Sequence, residues 1–526
     1  MANKNIFQTL RGKLAPATDA TNEAGGRAYS LSTQAALARF AVTGCLSNTF
    51  YATAEDQLTK ALELCKDVDA DFIARTAIHS REKGYMKDMP ALLCAVLAGR
   101  DLDRLAEVFL QVIDNGRMLR NFVQIIRSGV TGRKSLGSAP KRLIRQWFEY
   151  ASERQLINAS IGNAPSLADI VKMVHPHPTT PQHDAFYGWL LGKPYDPAAL
   201  PEALRAYEAW KANREGEVPD VPFQMLTALN LGEAEWSAIA DSASWQMTRM
   251  NLNTFARHGV FNDKERVKRI VSRLRSATLV RKARVFPYQL LVAYLNAGAD
   301  VPAEIREALQ DAMEISISNV PEIDGSVVVC PDVSGSMGCS VTGWQSRGSA
   351  SKVRCVDVAA LVAASFLRRN PRTTVLPFEC DVVNLQLNPR DSVMTNATRL
   401  AGVGGGGTNC SAPLQRLNER KAHADLVIYV SDNESWMDSR PGGRGTATLR
   451  QWDIFKHRNP KARLVCIDLT PNTTTQAPDR KDILNIGGFS DNVFDLIASF
   501  AKDGAEANHW VRLIESIPLK TKMKTA

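Results

Sequence analysis

Apolar residues recur every three or four positions along the first part of the chain, which is the spacing of amphipathic helices. From about residue 30 to residue 318, such segments follow one another with short breaks that carry Gly, Pro or Asp. They are DADFIARTAIHSREKG, DMPALLCAVLAG, LDRLAEVFLQVIDNG, RMLRNFVQIIRSGV, PKRLIRQWFEYASERQL, SLADIVKMV, QHDAFYGWLLG, DKERVKRIVSRL, PYQLLVAYLNAG and AEIREALQDAM. No segment alternates as a strand does, so we predict an all-helical region. It is either a solenoid of stacked helix pairs or, because no strict sequence repeat is present, an irregular helical domain.

The pattern changes after Pro321. Short and almost wholly apolar runs, GSVVVCPDV, TTVLPF, DLVIYVSD and ARLVCIDL, alternate with the helical stretches VRCVDVAALVAASFLRR and SAPLQRLNERK. Buried strands that alternate with helices indicate a mainly parallel sheet covered on both faces. We therefore predict two domains, residues 1–320 and residues 321–526, with the boundary at the turn Asn319-Val320-Pro321.

Composition narrows the class of protein. The chain is 44% apolar and 23% charged, no apolar run reaches the roughly 18 residues that span a bilayer, and MANKNIFQTLRGKLAP lacks the apolar stretch of a secretory signal. Nine cysteines are scattered singly, which argues against a disulfide framework and against a thiolate zinc site. We expect a cytoplasmic protein that binds no membrane.

A carboxylate and two hydroxyls end the first predicted strand, as Asp332, Ser334 and Ser336 in CPDVSGSMG. Asp432 ends the run DLVIYVSD, and Thr408 follows the four glycines of GVGGGGTNCSAPL. Ligands of open parallel sheets gather at the carboxyl ends of strands, and an all-oxygen set suits a hard cation, so we expect Mg²⁺ or another divalent cation. The spacing resembles the metal-ion-dependent adhesion site of von Willebrand factor A domains. The alternatives are that the serines cap a helix while Asp332 accepts loop amides, or that the site forms but is idle.

Enzymatic interpretations of the same motif are weaker. A phosphatase or dehalogenase nucleophile loop would carry an aspartate where Ser334 stands, and no Gly-Lys-Ser/Thr follows the glycines. A two-metal mechanism would need a second cluster of acidic residues, and the sequence shows none. We predict no catalytic residues and no enzymatic activity.

Positive charge concentrates in two stretches of the helical region, in a chain of net charge +9. Eight basic residues and no acid lie between Asp114 and Glu149, and eight more lie between Glu265 and Glu304 with Asp300 as the only acid. Because a solvated helix face normally mixes signs, this pattern predicts a polyanionic partner, RNA above all. The alternative is a basic face for an acidic protein. The candidate RNA-binding residues are Arg117, Arg120, Arg127, Arg133, Lys134, Lys141, Arg142, Arg145, Arg266, Lys268, Arg269, Arg273, Arg275, Arg281, Lys282 and Arg284.

Two histidines flank a proline in MVHPHPTTP. Either His175 or His177 could stack on or hydrogen-bond a nucleotide. A zinc site that includes His183 is the alternative.

An all-helical module followed by an A domain with an intact metal motif resembles the Ro autoantigen family, also called TROVE-module proteins. The stretches that carry the resemblance are SREKGYMKDMPALLCAVLAG, GRKSLGSAPKRLIRQWF, HPHP, MTRMNLNTFARHGVF, GGTNCSAPL, VSDNESW and ILNIGGFSDNVFDLI. The resemblance implies a multidomain fold, in which an all-α ring of HEAT-like helical repeats is closed by an α/β von Willebrand factor A domain. We expect a monomer.

The resemblance also implies a function. A Y-like noncoding RNA would bind the outer basic surface, with His175 as one contact and Lys141, Arg142 and Arg145 as contacts to the RNA backbone. Single-stranded 3′ ends of misfolded or decaying RNA would enter a central hole, in RNA quality control or a stress response. The implied protein partner is an exoribonuclease, polynucleotide phosphorylase. The alternative function is a metal-dependent protein–protein adaptor, whose A domain binds a partner's carboxylate through the metal.

Overall fold

The computed structural model describes residues 15–44, 46–214, 216–283, 285, 287–341, 353–436, 445–488, 491–503 and 509–519. Within these ranges a helix-rich N-terminal region precedes a five-stranded sheet. The predicted boundary falls between a 3-10 helix at Ile317–Asn319 and the first strand of that sheet. None of the described helices is long and apolar enough to cross a membrane.

The N-terminal region begins with two short strands, β1 (Ala20–Thr21) and β2 (Arg27–Ser30). Its helices are α1 (Thr33–Thr43), α2 (Ala54–Lys66), α3 (Ala70–Glu82), α4 (Asp88–Arg100), α5 (Leu102–Val112), α6 (Gly116–Ser128), α7 (Ser138–Tyr150), α8 (Glu153–Ala159), α9 (Leu167–Val174), α10 (Pro181–Leu191), α11 (Glu202–Asn213), α12 (Phe223–Thr227), α13 (Glu233–Ser242), α14 (Trp245–Met250), α15 (Leu252–Arg257), α16 (Lys264–Arg275), α17 (Ala277–Ala283), α18 (Pro287–Asn296) and α19 (Ala303–Ser316). The helical prediction for this region is confirmed, although the two strands were not foreseen.

One predicted helix, PKRLIRQWFEYASERQL, is two helices. The chain leaves α7 at Ala151, which is extended (φ −69°, ψ 129°), and Ser152 starts α8. The Ser152 hydroxyl accepts from the backbone N–H of Gln155, whose side-chain oxygen accepts from the N–H of Ser152, forming a capping box. The apolar spacing continues across this break, so periodicity alone does not detect it.

The first helices stack in two layers. Contacts join α1 to α3, α3 to α5, α5 to α7 and α7 to α9, while α4 contacts α6 and α6 contacts α8. Apart from α2, each of the first seven helices therefore packs on the helix two places further along the chain, as in stacked helical repeats.

The C-terminal region alternates strands and helices. Its strands are β3 (Val327–Pro331), β4 (Thr374–Val375), β5 (Leu426–Ser431), β6 (Arg463–Asp468), β7 (Thr474–Thr475) and β8 (Ile483–Gly487), and its helices are α20 (Cys355–Arg369), α21 (Val393–Ala401), α22 (Ala412–Glu419), α23 (Ala447–Arg458), α24 (Asp491–Asp503) and α25 (His509–Glu515). The order in the main sheet is β4-β3-β5-β6-β8, and every neighbouring pair is parallel. The predicted α/β sheet is confirmed.

Alternate residues of each strand enter two separate cores, because successive side chains point to opposite faces. Val327 and Val329 belong to the core that continues into the helical region. Val328 and Cys330 belong to a second core, which α22 and α23 cover with side chains such as Trp452. Since both faces are buried, the strands are mostly apolar, and polar residues such as Ser431 and Asp468 stand at strand ends.

Both ends of the helical series pack against the sheet domain. At the start, β2 pairs with β7, with Tyr29 opposite Thr475, and α1 packs on β8 and α25. At the end, α18 contacts α20, and α19 contacts α21. The chain therefore forms a closed circuit of packed elements.

Candidate functional site

The two aspartates predicted to bind a metal lie at the ends of adjacent strands. Asp332 directly follows β3 and Asp432 directly follows β5, and these strands pair in parallel with Pro331 opposite Val430. This is the switch point of the sheet, since β4 lies on one side of β3 and β5 on the other. The exposed fractions of the two residues are 0% and 2%. The fold therefore brings two buried carboxyl groups to one edge of the sheet.

Hydroxyl groups fix these carboxylates. The backbone N–H of Ser334 donates to Asp332 Oδ1 (2.9 Å), and the Ser431 hydroxyl donates to Asp332 Oδ2 (2.6 Å). The hydroxyl oxygens of Ser334 and Ser336 lie 3.2 Å apart, and the Ser336 side chain hydrogen-bonds the Asp432 carboxylate. Four of the five predicted metal ligands therefore form one cluster.

Thr408, the fifth predicted ligand, sits at the end of the glycine loop. The N–H of Gly405 donates to the carbonyl of Val333 (2.8 Å), which ties this loop to the segment that follows β3. The carbonyl of Thr408 accepts from the N–H of Trp436 (3.2 Å), in the segment that follows β5. Residues 404–408 thus bridge the two aspartate-bearing segments, and Thr408 itself is buried.

Burial and mutual repulsion govern the charge of this cluster. The pKa of Asp332 is raised to about 7. Loss of solvation is the largest cause, and repulsion from Asp432 is the second. Burial also raises the pKa of Asp432, which the hydrogen bond from Ser336 partly offsets. A bound cation would favour the ionised form of both groups.

The residues present fit a hard divalent cation such as Mg²⁺. The donor set is all oxygen, and its two carboxylates are buried at the same edge of the sheet. Among the described residues no group of three or more His, Cys, Asp or Glu could hold a metal, so hydroxyls would supply part of the coordination of a cation bound here.

The helical region contacts this cluster directly, which the sequence patterns did not reveal. Tyr51, in the loop between α1 and α2, hydrogen-bonds Ser336 through its hydroxyl. The pKa of the Tyr51 phenol is raised, mainly by burial and in second place by the charge of Asp432. Tyr51 is more than 280 positions from the serine in the sequence, so no local motif signals the contact.

The segment around β1 also holds the loop that follows β5. Asn22 Nδ2 donates to the carbonyl of Ser435 (2.8 Å), and the N–H of Glu23 donates to Glu434 Oε2 (2.7 Å). Burial, with the charge of Asp432 adding to it, raises the pKa of Glu434 to about 8.

Arg39 of α1 is buried inside the sheet domain. Its guanidinium forms an ion pair with Asp468 at the end of β6 (2.6 Å), and both side chains are 1% exposed. It also donates to the carbonyl of Thr474 (2.9 Å) and to Asn472, whose Nδ2 donates to the carbonyl of Asp432 (2.7 Å). A charged side chain of the helical region is therefore linked, through Asn472, to the backbone of Asp432.

Acids from α16 itself and from two other helices pair with the second basic stretch. The ion pairs join Arg266 and Arg269 to Asp241 (3.2 and 3.0 Å), Lys268 to Glu265 (2.7 Å) and Arg275 to Asp311 (2.6 Å). Asp241 belongs to α13 and Asp311 to α19. The expectation that no acid opposes these charges is therefore wrong for this stretch, and RNA binding by its residues stays a prediction.

The other members of this stretch differ among themselves. Arg273 donates to the carbonyls of Ala240 (2.7 Å) and Asp241 (2.6 Å), so it holds α16 against α13. Arg281 and Lys282 are exposed on α17. Arg284 lies outside the described residues.

The first basic stretch is largely unopposed. Five of its side chains form no ion pair with any described carboxylate and are exposed or half-buried. These five, named the α6–α7 surface, are Arg117, Arg127, Lys134, Lys141 and Arg142. The guanidinium of Arg120 instead donates to the carbonyl of Ala159 (2.9 Å), and that of Arg133 donates to the carbonyl of Ala98, so both have structural partners.

Arg145 and His175 come together at the end of α9. Arg145 Nε donates to the carbonyl of Val174 (2.6 Å), and His175 follows in the left-handed conformation (φ 49°) that ends the helix. His175 and His177 are both exposed. No metal-binding cluster around His183 occurs among the described residues.

Comparison with known proteins gives two family matches. Residues 98–298 match the model of the TROVE domain, and residues 326–501 match that of the Ro60 vWA domain.

Two relatives and one solved structure resemble the chain. It is 23% identical to the RNA-binding protein RO60 of Deinococcus radiodurans over 546 residues, covering 95% of this chain and 99% of that protein. It is 26% identical to the RNA-binding protein RO60 of Caenorhabditis elegans over 222 residues, covering 40% of this chain and 33% of that protein. The crystal structure of the Deinococcus radiodurans RO (RSR) protein superimposes with a TM-score of 0.62 at 21% identity, covering 90% of this chain and 99% of that one.

Proposed function

Because the chain belongs to the Ro family, with a TROVE domain followed by a Ro60 vWA domain, we propose that it is an RNA-binding scaffold without catalytic chemistry. It binds a Y-like noncoding RNA on the α6–α7 surface and takes single-stranded 3′ ends of misfolded or decaying RNA into a central hole. It acts as a cytoplasmic monomer in RNA quality control or a stress response, and it delivers RNA to an exoribonuclease such as polynucleotide phosphorylase.

The contrast between the two basic stretches carries this proposal. Four cations of α16 form ion pairs with Asp241, Glu265 or Asp311, whereas no cation of the α6–α7 surface forms an ion pair with a described carboxylate, although the charge of Arg127 acts on Asp169 at longer range. Lys and Arg side chains of this kind contact phosphates without reading bases. His175 is exposed and directly follows Val174, whose carbonyl accepts from Arg145, and its imidazole can meet an unpaired base.

Filter binding of a small hairpin RNA across a salt series tests the proposal. The variant Arg127→Gln/Lys134→Gln/Arg142→Gln removes three cations from the α6–α7 surface. Since each phosphate contact contributes roughly 0.7–0.9 to the slope of log K against log salt, we expect the slope to fall by roughly 2 and the affinity to fall at least tenfold at low salt.

The matched control removes the same charge from the paired stretch, as Lys268→Gln/Arg269→Gln/Arg275→Gln. It should bind RNA nearly as the unmodified chain does. Equal losses in the two variants would assign binding to net charge rather than to the α6–α7 surface. A requirement for a single-stranded 3′ tail would support the hole, and indifference to the tail would remove that part of the proposal.

A second function, a metal-dependent protein–protein adaptor, is favoured by the two buried carboxylates at the switch point. Asp332, Asp432, Ser334, Ser336 and Thr408 would hold Mg²⁺, which when bound offers a coordination position to a carboxylate of a partner protein. The hydrogen bonds from Ser334 and Ser431 orient Asp332 for this role.

Isothermal titration with Mg²⁺ or Mn²⁺ tests the second function. Asp332→Asn should abolish cation binding while RNA affinity is retained. The control Asp67→Asn, at an exposed position that ends α2, should leave both unchanged. Cation binding that survives Asp332→Asn would remove these residues from the metal site.

A further inference from the structure

Cys339 and Cys355 lie opposite each other on two short extended segments. Ser340 and Arg354 form an antiparallel bridge, the N–H of Val341 donates to the carbonyl of Val353 (3.0 Å), and the N–H of Cys355 donates to the carbonyl of Cys339 (2.9 Å). This register places the two cysteines directly across from each other.

The geometry of the pair suits a disulfide. The two sulfur atoms are 3.6 Å apart. The pair shares one backbone hydrogen bond, from the N–H of Cys355 to the carbonyl of Cys339, which keeps the two backbones in register. Closure to a bond of about 2.05 Å requires the sulfur atoms to approach each other by about 1.5 Å.

The pair is also placed next to the candidate metal site. Cys339 follows the 3-10 turn Gly335–Gly338, and its N–H donates to the carbonyl of Ser336 (3.2 Å). Cys355 is the first residue of α20, which packs on β3. A covalent link between them would tie the turn that carries Ser336 to the start of that helix.

We propose that Cys339 and Cys355 form a reversible disulfide when the protein meets a peroxide. Two S–H bonds and the O–O bond of hydrogen peroxide break, one S–S bond forms, and two water molecules leave. The two sulfurs give up two electrons in total, which the peroxide accepts. A dithiol reductant restores the thiols by exchange through a mixed disulfide.

Non-reducing peptide mapping of the full-length chain after hydrogen peroxide treatment tests this proposal. It should be done on Cys380→Ser, because Cys380 is exposed and can pair between molecules. We expect one cross-linked species that joins the Cys339 and Cys355 peptides, lighter by two hydrogens and lost on treatment with dithiothreitol.

Two variants sharpen the result. Cys355→Ser should abolish the cross-link, whereas Cys94→Ser, at another buried cysteine, should leave it intact. If Cys355→Ser does not fold, the mapping of the Cys380→Ser chain alone decides. Three outcomes would overturn the proposal. Both thiols could remain open to alkylation after oxidation, Cys339 could become a sulfinic acid without a cross-link, or either cysteine could bond to a different one.

Discussion

Single residues carry the contacts between the two regions, and Arg39 is the clearest case. A buried guanidinium needs a carboxylate, and Asp468 supplies it from more than 420 positions away. The sequence identified Asp332 and Asp432 because both directly follow apolar strands, which is a local signal. It did not identify Arg39 or Tyr51, because an arginine or tyrosine near a helix has no pattern that tells which distant group it meets.

Replacement of Arg39 by Met should destabilise the fold in a way that depends on pH. Removing one partner of a buried pair costs about 3–5 kcal/mol, because the other charge is left without compensation. Burial already raises the pKa of Asp468 to about 7, from an ordinary value near 3.8, although Arg39 opposes this. In Arg39→Met the pKa of Asp468 rises further. The folded variant therefore keeps a proton on Asp468 that the unfolded chain releases above about pH 4.

The free energy of unfolding of Arg39→Met should therefore fall as pH rises from about 4 to beyond 7. Urea unfolding at pH 5.5 and pH 8 measures this, with the larger loss expected at pH 8. In Arg39→Met/Asp468→Asn the added pH dependence should disappear. An equal loss at both pH values would mean that Arg39 does not set the pKa of Asp468.

Secondary-structure elements followed the sequence where they are long and periodic. Helices such as α3 and α16 and strands such as β5 match their predicted segments closely. The strands β1, β2 and β7 have two to four residues each, too few to show alternation. The basic stretch of α16 appeared unopposed in the sequence for a related reason, since two of the acids that pair with it, Asp241 and Asp311, lie on α13 and α19.

The glycine loop offers a test at the scale of one element. Gly404 has φ +88°, and a Cβ there would lie 2.3 Å from the carbonyl oxygen of Val333. Gly405 has φ +110° with open space around it. Both alanine variants incur a backbone penalty of roughly 1–2 kcal/mol, but only Gly404→Ala also forces the loop away from the segment that follows β3.

Gly404→Ala should therefore weaken cation binding by at least tenfold. It should lower both the melting temperature and the affinity for the cation more than Gly405→Ala does. Thermal unfolding and titration with Mn²⁺ measure the two effects. If the two variants behave alike, the close approach to Val333 does not control the position of Thr408.

At the scale of the whole molecule, the sheet domain receives both ends of the helical series. Apolar patterns predicted two domains and their order, because each region has its own periodicity. They did not predict that β2 would pair with β7 or that α1 would pack on β8, because pairing between short distant segments leaves no periodic trace.

The fragment 321–526 should consequently be less stable alone than within the full chain. It lacks Arg39, β2 and α1, and the loss of the buried pair alone, about 3–5 kcal/mol, corresponds to roughly 6–20 °C for a domain of this size. Differential scanning calorimetry should show the fragment melting more than about 6 °C below the full chain. Identical melting temperatures would mean that the two regions are energetically independent.

A circuit of packed elements tolerates one break. If a protease cuts a loop between two of the stacked helices, both resulting pieces still end on the same sheet domain, one through α1 and β2 and the other through α18 and α19. The nicked protein should hold together under native conditions and separate only in denaturant. For the same reason, new termini could be opened between helices, provided that the present ends are joined by a linker long enough to reach.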